Sequence, residues 1–172
     1  ADKIALMVNY LSVFSSAFTV LFMFWSLTIL LKKLIIGEKE LSTSNAVMIL
    51  GSAAIASLSF TFTDSFWYNA VEAEVYAMAT FLIALLFWLG LRWEQEINTP
   101  RGNKWLLLIS LVIGLSFGVH FMALLTFPAI GFLYFFKKYN NITVKSFLIA
   151  NVVIVAILLF IFKLLLPYTL AF

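Results

Sequence analysis

Cysteine is absent from the 172-residue sequence, and histidine occurs once, as His120. The missing thiols exclude disulfide bridges, thiol catalysis and zinc–thiolate sites. Charged residues are also scarce, at 11% of the chain compared with about 25% in a soluble globular domain. No polar basic stretch carries the interleaved aromatic residues of a single-strand nucleic-acid groove, so we expect no nucleic-acid partner.

Hydrophobic residues occupy 64% of all positions. They occur in uncharged runs, and a bilayer core of about 30 Å needs about 20 such residues to be crossed as a helix. Runs of this length are too long for the core of a soluble domain. The sequence therefore predicts an all-α, polytopic integral membrane protein whose first partner is the lipid bilayer.

The predicted architecture is one transmembrane domain covering residues 1–172, with six helices. Helix-capping residues stand where helices should start, at Ser42–Ser44, Thr63–Ser65 and Thr143. The predicted helix bounds are about 4–31, 45–63, 66–92, 104–118, 120–137 and 144–167.

The run from Trp105 to Phe136 could be one over-long helix or a hairpin of two short ones that turns at Gly118–His120. The positive-inside rule favours the hairpin, because it places three basic clusters on one side of the membrane. A continuous helix would split them between the two sides. The clusters are Lys32, Lys33 and Lys39; Arg92, Arg101 and Lys104; and Lys137, Lys138 and Lys145. These loops are predicted to be cytoplasmic, with both ends of the chain outside.

Acidic residues gather without basic neighbours in the connection after the second predicted helix. Asp64 is well placed to cap the next helix, and Glu72 could be an interfacial charge stabilised by a helix dipole. Glu74 starts an apolar run and should lie one turn inside that helix. An ionisable group at that depth is costly and is a functional candidate by default.

His120 lies at the tip of the predicted hairpin, on the same outer side as Glu74. It could be a hydrogen-bonded packing residue, but irregular backbone at membrane depth is tolerated only where protein buries it or a water-filled cavity reaches it. A cavity wall is the interpretation we favour. His120 could then bind an anionic group such as phosphate, and Tyr76 offers a hydroxyl near Glu74 in the sequence.

Four segments of the sequence resemble a known family of membrane proteins. The chain from Phe66 to Tyr76, followed by Gly114–His120 and Pro128–Gly131 and preceded by Ile4–Ser12, resembles bacterial membrane proteins related to the eukaryotic transmembrane protein O-mannosyltransferases. The most specific part is the pairing of the Phe-Trp and Glu-Val-Tyr elements with the later Gly-Val-His. The resemblance spans nearly the whole chain.

The resemblance implies a C-type glycosyltransferase core in a bacterial inner membrane, with its site on the periplasmic face. Such an enzyme would transfer a sugar from a polyprenyl-phosphate donor to an exported protein, in O-mannosylation for example, with no metal or other cofactor. Relatives carry their catalytic carboxylate in an outer loop that would precede Ala1, and Ala1-Asp2-Lys3 does not look like an intact start. We therefore assign no catalytic residue here, expect these 172 residues alone to be inactive, and assign substrate binding to Glu74, His120, Tyr76, Glu72 and Asp64.

Two other classes stay open at this point. A transporter or channel subunit would be expected to carry polar residues near the bilayer midplane and repeated halves, whereas here the polar cluster lies near one surface. A non-catalytic membrane scaffold would leave the outer acids as interfacial charges only.

Overall fold

The computed structural model describes residues 2–37, 39–72, 74–165 and 167. Over these residues it is helical and contains no β-strand, which confirms the predicted fold class. The elements are α1 (Asp2–Ile35), α2 (Thr43–Thr61), α3 (Asp64–Val71), α4 (Val75–Glu96), α5 (Gly102–Ser116), a 3₁₀-helix (Phe121–Leu125), α6 (Thr126–Lys138), α7 (Val144–Phe160) and a π-helical turn (Ile161–Leu165).

Five segments within the described ranges are long and apolar enough to cross a membrane. They are Leu6–Ile35, Thr43–Thr61, Val75–Glu96, Phe121–Lys138 and Val144–Leu164. Two of them start at the predicted caps. Ser42 accepts a hydrogen bond from the N–H of Asn45, and Thr143 forms a reciprocal capping box with Ser146.

The described residues form seven α-helices rather than the six predicted from the sequence. The additional helix is α3, which has eight residues, whereas the sequence predicts a single helix at 66–92 in this region. Its C-cap residue Glu72 has an extended backbone, and α4 begins only at Val75. The connection between α2 and α4 thus contains a helix of its own.

The helix break predicted at Gly118–His120 is present. Helix α5 ends at Ser116, residues 117–119 form a turn, and the next helical residue is Phe121. The 15 residues of α5 span about 22 Å, short of the roughly 30 Å of a bilayer core.

The chain divides into two compact units, residues 1–124 and 125–172. In the first, α1 packs on α2, α3 and α4, and α5 packs on α4. In the second, α6 packs on α7.

Helix α1 buries its small polar side chains rather than its large apolar ones. Large residues such as Ile4, Met7 and Phe14 are exposed, whereas the buried polar set is Ser12, Ser15, Ser16, Thr19 and Ser26. Because lipid is as apolar as a leucine side chain, membrane helices associate through close packing of small residues instead of through hydrophobic burial. The surface of α1 that meets the other helices is therefore serine-rich.

An aromatic ladder joins α1 to α4. Phe22 lies 5.9 Å from Phe81 and 5.2 Å from Trp88 between ring centroids, and Trp25 lies 5.5 Å from Trp88. The contacts advance in the same direction along both helices, so α1 and α4 run parallel. Trp105 of α5 extends the ladder with an edge-on contact to Trp88 at 6.0 Å.

Ion pairs and hydrogen bonds join the C-terminal ends of α1 and α4 to the start of α5. The Lys33 ammonium of α1 pairs with the Glu94 carboxylate of α4. Glu96 accepts from Arg92 at 2.7 Å through one oxygen and from the Trp105 indole N–H at 3.0 Å through the other. Two of the predicted cytoplasmic clusters therefore meet at one end of the first unit.

The connection from α4 to α5 is tight at Gly102. A Cβ at this buried position would lie 2.9 Å from the carbonyl oxygen of Glu96 and 3.1 Å from that of Ile97. Both are backbone atoms that cannot swing aside, so only glycine fits, and it fixes where α5 starts.

Candidate functional site

A cavity of about 480 Å³ lies at the opposite end of the first unit from the ion pairs. It forms where the N-terminal parts of α1 and α4 meet the turn after α5. Along α4, the 20 residues between Glu74 and Glu94 correspond to about 30 Å, the thickness of a bilayer core. The lining residues are Val8, Leu11, Ser12, Glu74, Val75, Met78, Gly118 and Val119.

Glu74 is the charged residue of this lining. It is the N-cap residue of α4, with an extended backbone (φ −126°, ψ 165°) and no hydrogen bond from its side chain to the helix. The expectation that it lies one turn inside the helix is therefore wrong, and its side chain is exposed. Its backbone carbonyl accepts a long, 3.5 Å hydrogen bond from the Ser12 hydroxyl of α1. The carboxylate is left available to a ligand in the cavity.

His120 follows the cavity-lining turn residues Gly118 and Val119 directly and is half-buried. Its backbone N–H donates to the Ser116 carbonyl at 2.9 Å, and its Nδ1 accepts from the N–H of Met122 at 3.2 Å. An accepting Nδ1 carries no proton, so in the neutral imidazole the proton is on Nε2. The local backbone thus selects the tautomer whose donor is Nε2–H.

Tyr76 packs against His120, with ring centroids 5.4 Å apart and planes inclined by 51°. This contact connects the first turn of α4 to the turn after α5, two elements separated by more than 40 residues. Tyr76 and His120 follow the lining residues Val75 and Val119 in the sequence, whereas Glu74 is itself part of the cavity wall.

Asp64 and Glu72 are not part of this lining. Asp64 is the first residue of α3 and is exposed, and the N-cap position expected for it is occupied by Thr63. Glu72 is the exposed C-cap of α3, and its backbone N–H donates to the Tyr68 carbonyl at 3.1 Å. The structure therefore places Glu74 in the cavity wall and packs Tyr76 against His120, whereas Asp64 and Glu72 belong to neither arrangement.

Sequence reasoning missed the contribution of α1. Ser12 lines the cavity. On the same helix, the Oδ1 of Asn9 and the hydroxyl of Ser16 are buried without a partner among the described residues. The spacing of these residues could have indicated this polar side of α1, because positions 9, 12 and 16 recur at intervals of three and four and so lie on one side of a helix.

The electrostatic character of the cavity end is acidic. Glu74, Glu72 and Asp64 are exposed there, and the nearest basic residue along α1 is Lys3, about 8 Å before Val8. In the described part of the chain, no three histidine or acidic side chains are grouped so as to hold a metal ion. The cavity suits neutral hydroxyl groups better than a free anion at its carboxylate.

Comparison with known proteins gives one family. The model of the protein O-mannosyl-transferase TMEM260 N-terminal domain matches residues 1–143, which include every residue of the cavity and both residues of the Tyr76–His120 pair. No curated protein and no solved structure matches the chain.

Proposed function

This chain belongs to the family of the protein O-mannosyl-transferase TMEM260 N-terminal domain, and we propose that it forms the membrane core of a glycosyltransferase. In this proposal the enzyme transfers a sugar from a polyprenyl-phosphate donor to a hydroxyl of a protein acceptor. The reaction occurs at the end of the first unit that carries the cavity, and that end is the outer one. The core is of the C-type glycosyltransferase kind.

The observation that carries the proposal is the cavity between α1, α4 and the turn after α5. It combines a carboxylate acceptor, Glu74, with a histidine nearby whose proton is on Nε2. Group transfer to a hydroxyl needs an acceptor that orients or removes the hydroxyl proton and a donor that stabilises the leaving phosphate. The two side chains supply these complementary functions.

The division of roles follows from charge. A carboxylate repels phosphate, so Glu74 hydrogen-bonds the neutral hydroxyls of the sugar or of the acceptor. His120 donates its Nε2–H to a phosphate oxygen of the donor, and Tyr76 holds the imidazole ring in place. This division keeps the sequence-based hypothesis that His120 binds the phosphate.

The distribution of charged residues along the first unit supports the proposed orientation in the membrane. The ion pairs of Lys33 and Arg92 lie at the other end of α4, and basic loops remain on the cytoplasmic side of bacterial-type membranes. An outer cavity would be accessible to a protein acceptor after export.

The test measures sugar transfer in membranes from cells that express the complete coding sequence. Glu74→Gln and His120→Ala should each lower transfer by roughly 10- to 1,000-fold, the scale for one positioned polar group. His120→Gln, whose amide can replace the Nε2–H donor, should retain more activity than His120→Ala. Glu40→Gln, at an exposed position in the loop after α1, is the matched control and should transfer normally.

Membrane insertion and protein amount are measured for each variant by alkaline extraction and blotting. Normal transfer by both Glu74→Gln and His120→Ala would refute the site. Equal loss in His120→Ala and His120→Gln would refute the role given to Nε2–H.

A further inference from the structure

The hydroxyl of Ser12 on α1 is turned away from its own helix. Hydroxyls on the other helices of the first unit commonly donate to the carbonyl oxygen four residues earlier in the same helix. Four of them do so at 2.7 to 2.9 Å: Thr19, Ser57, Thr80 and Ser110. Ser12 instead donates to the backbone carbonyl of Glu74, 62 residues away. Its hydroxyl is therefore directed toward the start of α4, where the cavity lies.

The hydrogen bond from Ser12 to Glu74 is a poor one. Its length of 3.5 Å between the two oxygen atoms exceeds the range of about 2.5 to 3.0 Å that is usual for a hydroxyl donor. Ser12 is only 3% exposed, and a buried hydroxyl without a good partner is costly, above all where no water competes. A ligand oxygen in the cavity can offer this hydroxyl a shorter bond.

The cavity wall is polar at two points and aliphatic between them. Glu74 offers a carboxylate that only accepts hydrogen bonds, and Ser12 offers a hydroxyl that donates and accepts. The two groups are close, because the Ser12 hydroxyl contacts the backbone of Glu74 itself. Val8, Leu11 and Met78 supply aliphatic surface beside them. A volume of about 480 Å³ is within the range of small-molecule sites, which combine apolar walls with a few placed polar groups.

A sugar ring matches this wall better than a phosphate or an acceptor side chain does. The ring carries several hydroxyls at its edge and C–H groups on its faces, so it can meet both polar groups and the aliphatic surface at once. A phosphate is repelled by Glu74, and none of the described residues that line the cavity is basic. An acceptor serine or threonine brings a single hydroxyl to a wall that has two polar partners.

We propose that Ser12 binds a hydroxyl of the transferred sugar and contributes to the choice of sugar. The sugar ring occupies the cavity, with one hydroxyl donating to the Glu74 carboxylate and another accepting from Ser12. This inference rests on the proposed transferase function. It assigns to the sugar the hydroxyl contacts that the proposed function left shared between sugar and acceptor.

The test compares the unaltered enzyme with Ser12→Ala, both expressed from the complete coding sequence. Transfer is measured with polyprenyl-phosphate mannose as the donor. Losing one neutral hydrogen bond should raise the donor KM by about 2- to 10-fold and leave the acceptor KM unchanged. Ser15→Ala is the matched control, because Ser15 is a buried serine one turn further along α1 and outside the cavity lining, and it should change neither KM.

Donor analogues that each lack one ring hydroxyl identify the contact. The analogue without the hydroxyl bound by Ser12 should be used equally well by the unaltered enzyme and by Ser12→Ala, because that bond can be lost only once. Every other analogue should show the same penalty from Ser12→Ala as the parent donor. A serine that only packed α1 against α4 would lower the use of all donors alike.

Donor affinity is also measured directly, by native mass spectrometry of the full-length protein in detergent, so that the sugar contact is tested apart from transfer. If the unaltered protein neither binds nor transfers polyprenyl-phosphate mannose, the proposed function fails, and this inference fails with it. If the donor binds but Ser12→Ala leaves its affinity unchanged, or weakens every analogue to the same extent, the role of Ser12 alone is overturned. A rise in the acceptor KM with a normal donor KM would also overturn it.

Discussion

Replacing Trp105 by phenylalanine should measure what the junction of α4 and α5 contributes to stability. The substitution keeps an aromatic ring beside Trp88 but removes the indole N–H that donates to Glu96 at 3.0 Å. A hydrogen bond to a charged group contributes about 1.5 to 3 kcal/mol. The Glu96 side chain is 18% exposed, so water can partly replace the lost donor, and the expected cost is about 1 to 1.5 kcal/mol.

A double-mutant cycle with Glu96→Ala tests whether the stability cost of Trp105→Phe comes from the hydrogen bond between these two residues. That substitution removes the indole bond and also the i,i+4 pair with Arg92, whose side chain is 35% exposed and therefore adds only about 0.5 kcal/mol. Glu96→Ala should cost about 1.5 to 2 kcal/mol. The double variant should cost less than the sum of the two single variants, because the indole bond can be lost only once.

The measurement is unfolding in mixed micelles titrated with sodium dodecyl sulfate and followed by far-ultraviolet circular dichroism. Trp67→Phe is the control, because Trp67 is exposed on α3, and it should change the unfolding free energy by less than about 0.3 kcal/mol. The reasoning fails if Trp105→Phe is as neutral as this control. It also fails if the costs of the two single substitutions simply add.

Three other outcomes are expected. Gly102→Ala should destabilise the first unit by about 1 to 3 kcal/mol, because the added Cβ would lie 2.9 Å from a backbone oxygen. At Gly114 an added Cβ would meet nothing within 4 Å, so Gly114→Ala should be neutral or slightly stabilising in the same titration. Thr143→Val should cost about 1 kcal/mol by removing the capping box of α7, and a loss below about 0.3 kcal/mol would contradict that role. Single cysteines introduced near Lys33, Arg101 and Lys138 should all resist an impermeant thiol reagent in intact cells, and labelling at Lys138 with protection at Arg101 would reject the predicted topology.

The parts of the fold that were predicted correctly depend on local properties. The length of the apolar runs predicted the class of protein. Ser42 and Thr143 were predicted as helix caps because a capping side chain bonds only to residues two or three positions away. The break near Gly118 was found through charge distribution, since a continuous helix would have split the basic clusters.

The additional helix α3 could not be found in the same way. No glycine or proline interrupts residues 66–89, so the sequence contains no helix-breaking residue there. The break before Val75 accompanies a long-range contact, in which the Glu74 carbonyl meets the Ser12 hydroxyl 62 residues away. Sequence periodicity carries no information about such a partner, so the depth of Glu74 was misjudged, and the role of Ser12 in the cavity wall was missed.

The pairing of α1 with α4 also constrains how the protein is made. Lys33 and Glu94 are 61 residues apart, so at about 5 to 20 residues per second α1 waits roughly 3 to 12 s for its partner to be synthesised. During this interval α2 and the short α3 are the helices available to cover the serine-rich surface of α1. A membrane insertase or chaperone that shields polar surfaces within the bilayer would have its opportunity to act on this chain then. Slowing translation between α2 and α4 would lengthen that exposure and increase the fraction of chains degraded before the first unit closes.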